Sequence, residues 1–234
     1  MRSEFHSIND FFLTLNQAGI NYLVLRNYEN LLQPEMYLDG HGDIDLLCDD
    51  AASLVQAAGA KPCPPKSTAV KDDKIHYRIH VGGQPVSLDL RQVGDGYYCQ
   101  RWGRDLLQHR VRHECFYVMN DEDYFFTLAY HAILQKRSLS DEYRARLGKM
   151  AQRLGVKLET CTERNLVSLV EAHMREKGYS YTFTVDRMVP NRYWLIKDKG
   201  LIDMDYRLWW NHLKFDMKVA AIGLMVKAKH MIKR

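Results

Sequence analysis

The chain lacks several features that would each have named a class of protein. Its 234 residues contain five cysteines (Cys48, Cys63, Cys99, Cys115 and Cys161) and no CxxC pair. An odd, scattered set argues against a disulfide framework or a zinc site and suits a reducing compartment. The opening MRSEFHSIND is charged and polar where a secretory leader would be apolar. The longest apolar run near the end, 219–226, falls well below the roughly 20 residues that a spanning helix needs. A cytoplasmic protein is therefore expected. No repeat and no low-complexity tract is present, and an apolar content of 46% with 26% charged residues is that of an ordinary globular chain.

Net charge is +4, but it is unevenly spread. Residues 205–234 carry seven Lys/Arg against two Asp, a net of +5, which leaves −1 on everything before them. A basic end on a near-neutral body predicts an anionic partner. The tail mixes Trp209, Trp210, Leu213, Phe215 and Met217 with its lysines. That composition suits either a final helix packed on the body with its lysines solvated, or a helix lying in a membrane interface, which would place the protein peripherally on the inner face of the cell membrane. Aromatic platforms on a sheet are not evident, and nucleic acid is not the expected partner.

Spacing predicts a helix over 7–18, capped by Ser7, with Ile8, Phe11, Phe12 and Leu15 on one face. Buried strands are expected at 20–25 and 43–48, followed by a short helix over 49–58. Two β-rich runs, 74–81 and 85–90, flank Gly82-Gly83 as a hairpin. Helices are predicted over 121–137, over 141–154 behind Ser140, and from Thr162 to about 177. Residues 179–199 alternate like a strand at first and then meet Pro190; the final 30 read as helix with a break near Gly223. The expected class is α+β: a mixed sheet with flanking helices over 1–118, a helical domain over 119–204 and a basic amphipathic helix over 205–234.

The fragment Gly42-Asp43-Ile44-Asp45-Leu46-Leu47 carries the chemical argument. Side chains alternate along a strand, so Asp43 and Asp45 project from one face. Neighbouring carboxylates repel and resist burial, and a divalent cation relieves both costs. DxD is common and also marks the exposed end of a strand, so a third acid is needed. Asp89 supplies it, on Val86-Ser87-Leu88-Asp89-Leu90-Arg91, provided that this strand pairs beside 43–48. Three acids on adjacent strands suit metal-assisted displacement at phosphorus.

An apolar strand, a glycine-containing approach, DxD on the next strand and a later single Asp together resemble the DNA polymerase β-type nucleotidyltransferase superfamily. More narrowly, Tyr22-Leu23-Val24-Leu25-Arg26-Asn27-Tyr28-Glu29-Asn30-Leu31 followed by 42–47 resembles uncharacterised nucleotidyltransferase-like proteins encoded among bacterial surface-polysaccharide genes. The likeness covers roughly 15–150. It implies Mg²⁺ or Mn²⁺ on Asp43 and Asp45, with Asp89 as a further ligand or as base on the acceptor hydroxyl. It also implies a nucleotide or nucleotide-linked donor and a glycan or sugar acceptor, which can be lipid-linked. The superfamily's usual Gly-Ser after the first strand is replaced by Arg26-Asn27. Arg26 offers a guanidinium fork to phosphate instead, and a CDP-linked donor stands beside a triphosphate as an option. Relatives also show a His…Lys…Tyr pattern like His131, Lys136 and Tyr143. Arg78 and Arg91, near the acids, are either phosphate-neutralising or ordinary surface charge. Two other readings stay open: a minimal nucleotidyltransferase that modifies protein or RNA, and a non-catalytic scaffold.

Overall fold

The computed structural model describes residues 4–33, 43–63 and 76–232, with side chains described up to 223. The glycine-containing approach at 40–42 and the start of the strand expected from 74 fall outside these residues.

Eight strands form one mixed sheet: β1 (Glu4–Phe5), β2 (Tyr22–Val24), β3 (Asp43–Cys48), β4 (Lys61–Pro62), β5 (His76–Val81), β6 (Gln84–Gln92), β7 (Val111–His113) and β8 (Phe116–Val118). Their order is β1-β5-β6-β3-β2-β8-β7, with β4 paired to β5. The hairpin β5–β6 turns at Gly82-Gly83, both in the left-handed region, as expected. The decisive neighbour is β6, which runs parallel to β3.

Both faces of the sheet are covered. Tyr22, Val24, Ile44, Leu46, Val86, Leu88 and Leu90 pack with Phe11, Phe12 and Leu15 of α1 (Ile8–Gln17) and Leu54 of α2 (Ala51–Ala58). Leu23, Leu25 and Leu47 on the other face join a second core with α3 (Gln100–Gln108), α4 (Asp121–Leu134), α5 (Asp141–Leu154) and α6 (Glu163–Lys177). Period two along each strand thus feeds two different cores. In α4 every residue from Asp123 to Leu134 is buried, so it forms the centre of the helical half. Ser7, Ser140 and Thr162 cap their helices as the sequence announces, and Asp50, inside the stretch expected to be helical, caps α2; each accepts a backbone N–H in the first turn.

Three expectations are corrected. The helix from Asp121 stops at Leu134, short of 137, because the Gln135 side chain turns to bond the Tyr97 carbonyl. Residues 179–199 form no ladder strand; they are an extended strap with an isolated bridge between Tyr181 and Ile202, then single 3₁₀ turns at Tyr193–Leu195 and Lys199–Leu201. The last helix, α7 (Tyr206–Ile232), runs through Gly223 without a break.

Candidate functional site

Parallel pairing of β3 and β6 sets Asp45 opposite Asp89 and Asp43 opposite Ser87. All four point to the face of the sheet that carries Leu47 and looks toward α4. Asp45 is nearly buried, whereas Asp43 at the start of β3 is exposed. Asp89 stands 3.3 Å from His76 Nε2. Burial pushes its carboxyl up to about 6; the negative charges of Asp45 and Asp43 push the same way, against the pull of His76 and Arg91. The three acids therefore feel one another. Among the described residues, no group of three or more His, Cys, Asp or Glu is spaced to hold a metal ion by itself.

A chain of polar contacts leads from Asp45 into the helical half. Arg26, just past β2, donates from Nη2 to Asp45 Oδ1 (2.7 Å) and from Nη1 to the Tyr97 hydroxyl (3.0 Å). That hydroxyl lies 2.9 Å from His131 Nδ1, and Gln135 Oε1 lies 3.1 Å from the same nitrogen. Gln135 Nε2 donates to the Tyr97 carbonyl at 2.7 Å, which orients the amide and turns its oxygen to the histidine. An amide oxygen only accepts, so Nδ1 carries the proton. Nε2 is then a buried lone pair, and it has no hydrogen-bond partner among the described residues. Burial, reinforced by the charges of Arg26 and Lys136, holds the His131 pKa well below its usual value, and the ring is neutral. Tyr143 of α5 meets it edge-on, with ring centroids 6.0 Å apart.

Tyr97, the hub of this network, was not singled out in the sequence. Its signal was the Gly94-Asp95-Gly96 turn placing an aromatic with a polar tip directly after β6. Asp95 closes that turn by accepting from the backbone N–H groups of Gln92 and Tyr97. The strap then clamps it: Thr182 Oγ1 donates to the Gly96 carbonyl and the Val185 N–H to the Asp95 carbonyl. Asp186, equally unremarked in the sequence, holds Arg91 at 2.9 Å with both side chains buried, and the Arg91 guanidinium lies 4.4 Å from the centre of the Tyr97 ring.

The expected residues thus divide. Asp43, Asp45, Asp89, Arg26, His131 and Tyr143 are brought to one face. Arg91 is drawn into the strap contact, although its Nε and Nη1 have no partner among the described residues. Asn27, in a left-handed conformation, accepts from Arg146 (3.0 Å), which also bonds Glu29 and Tyr124. Lys136 is exposed just past α4. Arg78 is exposed on β5 opposite Ser87, on the carboxylate side of the sheet. A cavity of about 690 Å³ lies elsewhere, past the far end of β3, lined by Asn21, Asp49, Arg104 and Arg110 among others. There Asn21 already bonds Asp49, and Arg110 lies over Tyr117. The acids singled out from the sequence lie on the carboxylate face and not in this cavity. No family model, curated protein or solved structure matches the chain.

Proposed function

We propose that the face carrying Asp43, Asp45 and Asp89 is the active site of a divalent-metal-dependent transferase. It moves a nucleotidyl or phospho-sugar/phospho-alditol group from a nucleotide or nucleotide-linked donor to a glycan or sugar acceptor, as in surface-polysaccharide synthesis. The observation that carries this reading is the register that sets Asp45 opposite Asp89, whose carboxyl is pushed up to about 6 by burial first and by its acidic neighbours in addition. Clustered carboxylates that oppose one another are costly and gather where chemistry uses them. The resemblance carried by residues 22–31 and 42–47 points the same way.

The donor set fits Mg²⁺ or Mn²⁺. Such ions are commonly held by one or two carboxylates together with substrate phosphates, so a complete protein cage is not required. Asp45 and Asp89 would be the ligands, with Asp43 beside them. A bound ion would neutralise charge on the phosphate and favour the ionised acceptor hydroxyl. Arg26 fixes the Asp45 carboxylate and is itself fixed by Tyr97, so its rotamer is set before substrate arrives. Exposed Lys136 and Arg78 supply positive charge for donor phosphates. Asp89, once ionised, can take the acceptor proton.

A second reading, a non-catalytic member that serves as a scaffold, draws on the Arg26–Asp45 ion pair, which already neutralises one of the acids. A thermal-shift screen separates the two. Wild type and an Asp43→Asn/Asp45→Asn variant are heated with CTP, ATP, UTP, GTP and CDP-linked donors in Mn²⁺. Ligand at 100 times its Kd stabilises by about 2.7 kcal/mol. A shift with one nucleotide class, absent in the variant, supports the transferase and names its donor class. No shift in a folded sample overturns it.

A further inference from the structure

The last helix leaves the body part-way along its length. Its first turns are anchored. Leu208 and Trp209 pack on the helical core, His212 is buried with Nε2 2.7 Å from the Thr184 carbonyl, and Phe215 is buried beneath Arg187. Beyond Phe215 every residue from 216 to 223 is exposed. A helix solvated on all sides gains nothing from tertiary packing, yet this one carries Met217, Val219 and Ile222 there.

The exposed apolar residues follow helical spacing. Exposed Tyr206, Trp210 and Met217, with half-buried Leu213 between them, recur at four, three and four residues and so share a face. Tyr206 is 75% exposed, Trp210 49% and Met217 63%. Arg207, Lys214 and Lys218 form a parallel basic row beside them, and Lys214 reaches the Trp210 ring at 6.0 Å. Trp194 is exposed in the 3₁₀ turn whose Tyr193 hydroxyl accepts from Trp209 Nε1. Large apolar residues in such number are rare on a surface meant for water alone.

We propose that α7 is a docking surface for an anionic phospholipid bilayer, on which the helix lies in the interface. Two features favour lipid over other partners. The net +5 of residues 205–234 stands against −1 on the remainder, so the chain's excess of positive charge is carried by this segment. Trp and Tyr, the residues that settle at headgroup level, make up the exposed aromatics of its face. No described helix is long and apolar enough to cross a bilayer, so contact is in the plane of the surface. The surface is distinct from the carboxylate face, and the proposal stands whether or not that face is catalytic.

The test is flotation of the full chain with vesicles of phosphatidylcholine alone and of phosphatidylcholine mixed with phosphatidylglycerol. The expected result is binding to the mixed vesicles only, released at high salt, with a blue shift of tryptophan emission. Lys214→Gln/Lys218→Gln, at two exposed positions, should weaken binding by about 25-fold, since each charge near the surface contributes about fivefold. Met217→Gln should weaken it while leaving every charge unchanged. Equal binding to neutral vesicles, or no binding by the folded chain, overturns the proposal. So does a Met217-dependent dimer in solution that excludes lipid, or binding of RNA in preference to lipid, because the face would then serve a second copy or a nucleic acid.

Discussion

At the scale of single residues, Asp89 is where function and stability pull apart. Its pKa in the folded chain is about 6, raised above its ordinary value chiefly by burial. The sign follows from proton counts: between pH 4 and 6 the folded state holds a proton that the unfolded state has released, so stability falls as pH rises through that window. The full penalty, about 3 kcal/mol, is present above pH 6. Asp89→Asn, melted with a chelator present, should therefore be more stable than wild type at pH 7.5 by up to that amount. The advantage should vanish near pH 4, and under the proposed transferase function the same substitution should abolish turnover. A variant no more stable than wild type at pH 7.5 would mean that Asp89 sits at no electrostatic cost.

At the scale of elements, the turn after β6 is held by fit. Gly96 has φ +79°, and a Cβ there would lie 2.1 Å from the Phe183 carbonyl oxygen. Gly94, two residues earlier at φ +94°, has nothing within 4 Å of that position. Gly94→Ala should cost only left-handed strain, about 1–2 kcal/mol. Gly96→Ala adds a backbone clash and should cost about 2–4 kcal/mol. Denaturant melts of the two variants give the comparison; equal losses would show that the strap does not clamp the turn.

The same contrast explains what the sequence made legible. Helices with a side-chain cap and a glycine stop, such as α5 between Ser140 and Gly155, could be read to the residue, and so could β3 with its two acids. Helix α3 could not. Its N-cap Cys99 makes no side-chain bond, Gly103 interrupts it, and its buried Trp102, Leu106 and Leu107 lie among arginines and glutamines. Strands β7 and β8 have three residues each, too few to show a period. The alternation of Tyr179, Tyr181 and Phe183 is genuine burial, but its partners are the turn at 95–96 and Leu201, which no local pattern reveals. Within the site, the acids declared themselves through strand spacing, whereas Tyr97 and Asp186 gained their roles only from distant partners.

At the scale of the whole molecule, α7 divides into a packed beginning, through Phe215, and an exposed stretch over 216–223. A chain ending after Asp216 keeps His212 and Phe215 in place and should melt within about 2 °C of wild type, since the described residues it loses, 217–223, are all exposed and such losses shift stability little. Ending it after Asp205 removes both and exposes the surface under them. The loss of a buried Phe alone is about 3–5 kcal/mol, so Tm should fall by several degrees or more. Calorimetry of the two truncations distinguishes an anchored helix from an appended one.

The Arg91–Asp186 clamp has a consequence in time. The groups of the carboxylate face and its supporting network span residues 26 to 186, so the contacts that organise them close loops of many tens of residues. Such contacts form late and slowly. During synthesis at about 5–20 residues per second, the strands holding the acids emerge seconds before the segment that locks Tyr97 beneath Arg91. The acids are therefore made before the frame around Tyr97 is complete, and the nascent chain cannot assemble the proposed site in full until the strap has left the ribosome.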